Sequence, residues 1–326
     1  MAAQRSINDD AAAWARAALG DTATYSVHVA VRGLENELED ELTHRNVEIV
    51  TRLRSPNRTV VVVRGSDSEA QWAAETWWDA TVVHIGSISE AARVLQAVQR
   101  NWAPAEQSAR ERLIAQRLPR LRRSPLALGQ SAASGHLGAW TLVAPDLMLV
   151  APRTSRPFAS GRPELDLQSE PPSRAYLKLW EAMLLAGTQP AAGDLAVDLG
   201  AFPGGWSWLL ARLGANVDAL DRSTFDPRGW NVAGRVTVRR GNGLSATPHA
   251  DATWIVSDMA CDPRKLLAAF TRWLERPAQI VATIKCAGRA DPGVVAQFAA
   301  LPGVRVVHLH HNGHELTAMR THTSSA

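Results

Sequence analysis

A glycine-rich segment in the second half of the chain has the residue types of a ligand-binding turn. Residues 198–206 have the sequence Asp-Leu-Gly-Ala-Phe-Pro-Gly-Gly-Trp and include the end of an apolar stretch, residues 195–199, that we predict to be a strand. Glycines after the first strand of a parallel sheet let a ligand approach the backbone closely. Asp221 follows the next predicted strand, where its carboxylate would hold ribose hydroxyls. The pattern predicts a nucleoside-containing ligand, with NAD and S-adenosylmethionine equally compatible.

The spacing of these glycines leaves one alternative open. It differs from the dinucleotide fingerprint G-x-G-x-x-G, and Pro203 stiffens the turn. A tight strand-to-helix turn with two structural glycines would have a similar composition. Because the turn and Asp221 occur together, a binding site is favoured.

The segments on both sides of this turn alternate between strand and helix patterns, which predicts a doubly wound α/β domain. The predicted strands are residues 195–199, 216–220, 235–238, 254–257, 279–284, 304–310 and 316–321. The predicted helices are residues 174–186, 206–213, 263–274 and 292–300. The last two strands are joined by a short turn, residues 311–314, so one edge of the parallel sheet is expected to be an antiparallel hairpin.

The first half of the chain has a different pattern. A helix (residues 10–18) is followed by strand, helix and two strands, and then by helix and strand; these six segments are residues 24–32, 33–45, 47–53, 59–64, 68–78 and 81–85. This β-α-β-β-α-β order predicts a ferredoxin-like α+β region, a fold that hosts many functions. A further helix (residues 89–102) and a hairpin (residues 137–143 and 147–150) follow.

Arginines are concentrated between the two halves. Residues 110–123 contain a single acid, Glu111, and six arginines: Arg110, Arg112, Arg117, Arg120, Arg122 and Arg123. A solvated helix face and a contact with RNA phosphates are equally compatible with this run. Proline, glycine and polar residues dominate residues 157–172, which places a domain boundary near residue 170.

The composition excludes several classes of protein. With 46% hydrophobic and 21% charged residues among 326, the chain is globular, and we expect a cytoplasmic protein without a membrane span or signal peptide. Its two cysteines, Cys261 and Cys286, are too few for a zinc cluster, and we predict no metal site. We interpret both as small buried residues. Of the 35 basic residues only Lys178, Lys265 and Lys285 are lysines.

Residues 198–206 resemble motif I of the FtsJ-like 2′-O-ribose RNA methyltransferases. Residues 172–182 are similar to the helix that precedes this motif. Residues 157–163 and 254–259 are most similar to one branch, the bacterial 23S rRNA cytidine 2′-O-methyltransferase (RlmM) family. The resemblance implies a Rossmann-like class I methyltransferase sheet at residues 171–326, S-adenosyl-L-methionine as cofactor and RNA as partner. It further implies a ferredoxin-like domain at residues 1–105 and a shortened THUMP-like region with linker at residues 106–170.

The resemblance also implies the site residues. The catalytic tetrad of the family maps onto Lys178, Asp258, Lys285 and Glu315, with Lys285 as the base that removes the ribose proton. The expected cofactor-binding residues are Asp198, Gly200, Phe202, Pro203, Gly204, Gly205, Trp206, Asp221, Asn242 and Asp258. Asp258 thus belongs to both sets. The chain departs from the family at Phe202, at Asn242 in place of an acid, and at Ala175 in place of a serine.

The chemistry requires a side chain that can give up a proton. A ribose hydroxyl is a weak acid, so its proton must be removed as it is methylated. Lysine can do this when its pKa is lowered, and we expect the pKa of Lys285 to be lowered by burial and by the second cation at Lys178. Arginine stays protonated and would fail.

Two other classes of methyl transfer lack their sequence signatures here. Residues 257–260 are Ser-Asp-Met-Ala, whereas methylation of base amino groups uses an Asn/Asp-Pro-Pro-aromatic motif. Neither cysteine has the context of the nucleophile used for carbon-5 methylation of pyrimidines. Two alternatives remain: the same reaction on tRNA or another rRNA site, or a catalytically silent module that binds cofactor and RNA. No obligate protein partner is indicated.

Overall fold

The computed structural model describes residues 2–55, 58–105, 108–121, 124–132, 135 and 137–320. Arg122 and Arg123 of the arginine run lie outside these residues. The chain divides into two compact units, the first formed by residues 1–124 and 133–164 and the second by residues 125–132 and 165–326. Within the described ranges, every helix is too short or too polar to cross a membrane.

The first unit is built on one large sheet with the strand order β2-β3-β1-β4-β7-β6-β5, and β8 pairs with β4. All of its pairs are antiparallel except β5 with β6. The strands are β1 (Tyr25–Ala30), β2 (Ile49–Arg54), β3 (Thr59–Arg64), β4 (Ala73–His84), β5 (Trp102–Pro104), β6 (Gly138–Ala144), β7 (Leu147–Ala151) and β8 (Arg153–Thr154). The helices are α1 (Ala2–Ala17), α2 (Glu35–His44), α3 (Ile88–Val98) and α4 (Ala109–Ala115).

The prediction of a helix over residues 68–78 is wrong, and with it the β-α-β-β-α-β order. Residues 73–84 form the single long strand β4, whose Trp77 pairs with Val27 of β1 and is fully buried. Thr76 and the two tryptophans after it favour a strand. Asp67, which directly precedes the predicted helix, accepts hydrogen bonds from His28 and Arg45, which are distant in sequence. The predicted hairpin at residues 137–150 is confirmed as β6 and β7.

The second unit has the predicted doubly wound architecture. Its sheet has the order β11-β10-β9-β12-β13-β15-β14. All neighbours are parallel except β15, which is antiparallel to both β13 and β14. The strands are β9 (Leu195–Leu199), β10 (Asn216–Asp221), β11 (Val236–Arg240), β12 (Trp254–Ser257), β13 (Gln279–Lys285), β14 (Val304–Val307) and β15 (Glu315–Arg320). The helices are α5 (Tyr176–Ala186), α6 (Gly205–Arg212), α7 (Pro263–Trp273) and α8 (Pro292–Ala299).

The strand directions bring distant residues to one edge of this sheet. The carboxyl ends of β9, β10, β12 and β13 meet there because these strands are parallel. Strand β15 runs the opposite way, so its first residue, Glu315, lies at the same edge and pairs with Lys285, the last residue of β13. The antiparallel hairpin therefore places the carboxylate of Glu315 at the edge where the parallel strands end.

Candidate active site

The turn between β9 and α6 needs glycine at two positions, and for the same two reasons. Gly200 has φ +83°, and a Cβ there would lie 2.0 Å from Cγ of Met259. Gly204 has φ +102°, and a Cβ there would lie 2.6 Å from the ring of Trp230. Both positions have the left-handed backbone conformation that glycine adopts readily. The turn is therefore packed closely against the side chains of its neighbours.

Asp198 lies beneath this turn and supports it. Its side chain is buried and accepts a hydrogen bond of 2.7 Å from the hydroxyl of Ser207 on α6. Burial, opposed by the Ser207 hydrogen bonds and aided by the negative charge of Asp258, raises the pKa of Asp198 to about 7. The side chain thus ties the first strand to the following helix.

A cavity of about 310 Å³ opens beside the turn. Five of the expected cofactor-binding residues line it: Gly200, Phe202, Asp221, Asn242 and Asp258. The other five, Asp198, Pro203, Gly204, Gly205 and Trp206, belong to the adjoining strand, turn and helix and are not among the lining residues. Sequence reasoning missed the remaining lining residues, Arg222, Gly241, Gly243, Leu244, Met259, Ala260 and Cys261. All seven lie within three residues of an expected one, which was the available signal.

The lining groups fit a nucleoside. A volume of this size suits a small ligand, and it combines the apolar Phe202 and Met259 with polar groups. Asp221 is held by backbone donors, Phe202 N at 3.2 Å and Ser223 N at 2.7 Å. The oxygen of Asn242 accepts from Leu244 N at 3.1 Å. The hydroxyl of Ser173, near the start of α6, is buried without a hydrogen-bond partner in the described part of the chain.

Four charged side chains meet at the same edge of the sheet, and we call them the lysine–carboxylate cluster: Lys178, Asp258, Lys285 and Glu315. Lys178 Nζ donates to the two oxygens of Asp258 at 2.8 and 2.7 Å and to Glu315 Oε1 at 3.0 Å. Lys285 Nζ donates to Asp258 Oδ1 and Glu315 Oε2, both at 2.7 Å. The structure therefore brings together all four expected catalytic residues.

Each member of the cluster is placed by a different element. Lys178 lies in the first turn of α5, Asp258 follows β12, and Lys285 and Glu315 are paired residues of β13 and β15. Asp258 also lines the cavity, which makes the cluster and the cavity one continuous site. The side chain of Lys285 is 28% exposed and that of Lys178 10%, so Lys285 is the more accessible amine.

The expected lowering of the pKa of Lys285 is wrong for this arrangement. Burial does lower the pKa, but the charges and hydrogen bonds of Asp258 and Glu315 outweigh it, so the pKa of Lys285 is raised above its ordinary value. The two carboxylates stabilise the protonated amine more than burial destabilises it. Without a bound substrate, Lys285 is therefore a cation.

The cysteines are less buried than expected. Cys261 and Cys286 are both partly exposed, and Cys261 lines the cavity. Partial burial and the neighbouring charge of Asp262 raise the pKa of the Cys261 thiol, which keeps it protonated. Over the described ranges, three or more His, Cys, Asp or Glu side chains nowhere assemble into a possible metal site.

Comparison with known proteins shows what part of the second unit is similar to. An FtsJ-like methyltransferase family model matches residues 171–295, which supports S-adenosyl-L-methionine as the cofactor. Ribosomal RNA large subunit methyltransferase M of Methylococcus capsulatus is 36% identical over 149 residues, covering 44% of this chain and 42% of its own. The protein of that name from Edwardsiella ictaluri is 38% identical over 124 residues, covering 36% and 33%.

These relatives match only in part. The chain spans less than half the length of either relative. Among solved structures, Burkholderia thailandensis 1,6-didemethyltoxoflavin-N1-methyltransferase with bound S-adenosylhomocysteine is 17% identical, covering 46% of this chain and 78% of its own, with a TM-score of 0.31. The resemblance of the sequence to FtsJ-like methyltransferases is confirmed by the family model.

Proposed function

We propose that this chain transfers a methyl group from S-adenosylmethionine to a ribose 2′-hydroxyl of structured RNA, with a cytidine of 23S rRNA as its target. The observation that carries the proposal is the position of Asp258, which lines the cavity and binds both amines of the lysine–carboxylate cluster. Asp258 therefore belongs both to the proposed cofactor site and to the cluster that contains the proposed proton acceptor, Lys285. The names of the two relatives support ribosomal RNA as the substrate.

The cavity residues would hold the cofactor. The carboxylate of Asp221 suits the ribose hydroxyls, the amide of Asn242 suits the adenine edge, and the turn at Gly200 allows close approach. When bound, S-adenosylmethionine supplies a methyl group on a positively charged sulfur, which makes the methyl group reactive toward an oxygen. The protein's own contribution is to orient the ribose hydroxyl and to take its proton.

Lys285 is the proposed proton acceptor because it is the more exposed of the two amines in the cluster. Its pKa is raised, so only a small neutral fraction can accept the proton at neutral pH. We therefore expect the rate of methyl transfer to rise with pH, by about tenfold per pH unit while the neutral form remains scarce. Lys178, Asp258 and Glu315 hold Lys285 in place through the shared hydrogen bonds.

We propose that the first unit contributes to RNA binding. The arginines of the 110–123 run that the structure describes support this, since Arg112, Arg117 and Arg120 are exposed at and after α4. Residues 1–105 and the THUMP-like residues 106–170 are the proposed RNA-binding regions, without the ferredoxin-like order, because β4 takes the place of its second helix. An rRNA substrate would place the protein in the cytoplasm, and we propose that it acts without an obligate protein partner.

The test is methyl transfer to unmodified 23S rRNA, 16S rRNA and tRNA, combined with calorimetry of S-adenosylmethionine binding. Transfer to 23S rRNA, mapped to the 2′-oxygen of a cytidine, is the expected result. Transfer only to another RNA would assign the same reaction to a different substrate. Binding of the cofactor without transfer to any RNA would identify a catalytically silent module. If S-adenosylmethionine did not bind at all, both the methyltransferase and the silent module would be refuted.

A further inference from the structure

Glu181 is a buried carboxylate on α5, three residues after Lys178 and on the same face of the helix. Its exposure is 0%. A carboxylate is costly to bury unless its oxygens accept hydrogen bonds, so the groups that satisfy it are part of its role. Glu181 has no direct role in the methyl-transfer reaction proposed above.

Both oxygens of Glu181 are bound by one short segment of chain, which we call the histidine turn (residues 308–314). Oε1 accepts from His310 N at 2.7 Å, and Oε2 accepts from His311 N at 3.1 Å and from His311 Nδ1 at 2.7 Å. Two successive backbone N–H groups and one ring N–H thus converge on the carboxylate. Because a carboxylate only accepts, Nδ1 of His311 must be the protonated ring nitrogen.

The histidine turn is also fixed internally and at its far end. His308 Nε2 hydrogen-bonds the Gly313 carbonyl at 2.9 Å, and Asn312 Nδ2 donates to the Glu315 carbonyl at 3.2 Å. Cys286 N donates to the His314 carbonyl at 3.3 Å, next to Lys285. The turn is therefore held by hydrogen bonds at several points, and Glu315 directly follows it.

We propose that Glu181 is a positioning residue for the methyl-transfer reaction, which holds the histidine turn so that Glu315 contacts both Lys178 and Lys285. One helix then supplies Lys178 and, through Glu181, fixes the carboxylate that binds it. This inference rests on the proposed function for its catalytic meaning. The placement of Glu315 against Lys285 can be measured without turnover.

The effect would be transmitted to Lys285 through charge. The groups that face its amine are Asp258 and Glu315, which favour the cation, Lys178, which opposes it, and the nearby thiol of Cys261. Glu181 itself faces His311 and the backbone of His310. If the histidine turn shifts, Glu315 moves away from Lys285 and the amine loses part of its stabilisation. The titration midpoint of Lys285 would then move to lower pH.

The chain is suited to measuring this midpoint directly. It contains only three lysines, so labelling with ¹³C and ¹⁵N lysine gives one signal each for Lys178, Lys265 and Lys285. Lys265 is exposed on α7 and serves as an internal reference. The titration is followed by NMR on the full chain without cofactor or RNA, so its result stands even if no methyl transfer is found.

The test variant is Glu181→Gln. An amide has one accepting oxygen, so at least one of the three converging N–H groups meets an NH₂ group and the turn is displaced. We expect the midpoint of Lys285 to move to lower pH while that of Lys265 stays fixed. In the methyl-transfer assay, we expect the lost alignment of Lys285 to outweigh its larger neutral fraction, so that kcat falls by roughly ten- to a hundredfold with little change in KM for S-adenosylmethionine.

Glu41→Gln is the matched control. Glu41 is also buried on a helix and also accepts from two successive backbone N–H groups, Gln71 and Trp72, both at 2.9 Å, and from a side chain, Arg45, at 3.0 Å. It belongs to the first unit. The same substitution there should lower stability and leave the titration of Lys285 unchanged.

An unchanged Lys285 midpoint in folded Glu181→Gln would overturn the proposal, and so would an equal change in Glu41→Gln. If Glu181→Gln does not fold, His311→Ala decides, because it removes only one of the three donors from a partly exposed turn. A smaller change of the midpoint in the same direction supports the proposal, and no change refutes it. Absence of methyl transfer by the native protein would instead count against the proposed function.

Discussion

Each of the two compact units contains a partly buried cluster of charged side chains, and the clusters use different cations. In the first unit, Arg45 donates to Glu41 at 3.0 Å and also binds Asp67, which accepts from His28 at 3.1 Å. We call these four residues the arginine cluster. In the second unit, the lysine–carboxylate cluster joins two amines to two carboxylates through hydrogen bonds of 2.7 to 3.0 Å.

The difference between arginine and lysine as the cation determines what each cluster can do. Arginine has a planar group with five donors and a charge that persists at any physiological pH, so it can join two carboxylates permanently. Its partner Asp67 responds accordingly: burial opposes ionisation, but the His28 hydrogen bond and the Arg45 charge lower the pKa of Asp67. A lysine amine can lose its proton. The arginine cluster is therefore suited to holding a fold together, and the lysine–carboxylate cluster to moving a proton.

The sharpest test of this division is Lys285→Arg, for which the largest effect is expected. The variant keeps the positive charge beside Asp258 and Glu315 and removes the ability to accept a proton. We expect the rate of methyl transfer to fall by about a thousandfold, within the range for loss of a general base. Calorimetry should find S-adenosylmethionine affinity within a few fold of the native value.

Two further variants are compared with Lys285→Arg: one that also lacks the base and one control. Lys285→Ala should lose transfer to a similar extent, since it also lacks the base. Lys265→Arg, at the exposed third lysine, is the control and should keep full activity. If Lys285→Arg retained turnover, Lys285 would not be the base and the contrast between the clusters would lose its chemical meaning.

The resemblance to FtsJ-like methyltransferases implied all four members of the lysine–carboxylate cluster, and three of them lie at strand ends that the sequence marks well. Asp258 follows the apolar β12, and Lys285 ends the apolar β13. Glu315 requires the hairpin of β14 and β15, which the turn between them indicated. Given these strands, the parallel sheet brings the residues to one edge.

The pKa of Lys285 could not be predicted in the same way. The sequence and the family resemblance indicated a second cation, Lys178, but the balance depends on two carboxylates that hydrogen-bond the amine at 2.7 Å. The same limit explains the error at β4. Asp67 has the position of a helix cap in sequence, yet its partners are His28 and Arg45, brought close only by the folded sheet. Contacts between distant residues decided both outcomes.

Asp198→Asn tests the contrast between the carboxylates of the two units. The pKa of Asp198 is raised to about 7, so the folded state keeps a proton that the unfolded chain loses near pH 4. This side chain therefore reduces stability progressively as pH rises from about 4 to 7, by up to about 4 kcal/mol. Asparagine is neutral throughout and retains an acceptor for Ser207. Its stability relative to the native protein should improve between pH 5 and pH 8.

Hydrogen exchange of the β9 amides at pH 5 and pH 8 measures the stability change of Asp198→Asn locally. Asp67→Asn provides the opposite case, because a lowered pKa contributes stability that is present at neutral pH and lost as the pH falls below about 4. Its destabilisation, read from β1 and β3 amides, should be largest near pH 7 and diminish in acid. If both variants responded to pH in the same direction, the two carboxylates would not differ as their surroundings indicate.

The smallest effect is expected for Arg45→Lys, the reverse exchange of cations. A lysine amine cannot span Glu41 and Asp67 as the guanidinium does, so at least one charged hydrogen bond is lost. We expect the first unit to lose about 1–3 kcal/mol of stability, measured by urea unfolding or by hydrogen exchange of β1 and β3. The methyl-transfer rate at saturating RNA and cofactor should stay unchanged, because Arg45 has only a structural role. A loss of rate approaching that of Lys285→Arg would break the division, since a fixed charge in the first unit would then take part in the reaction.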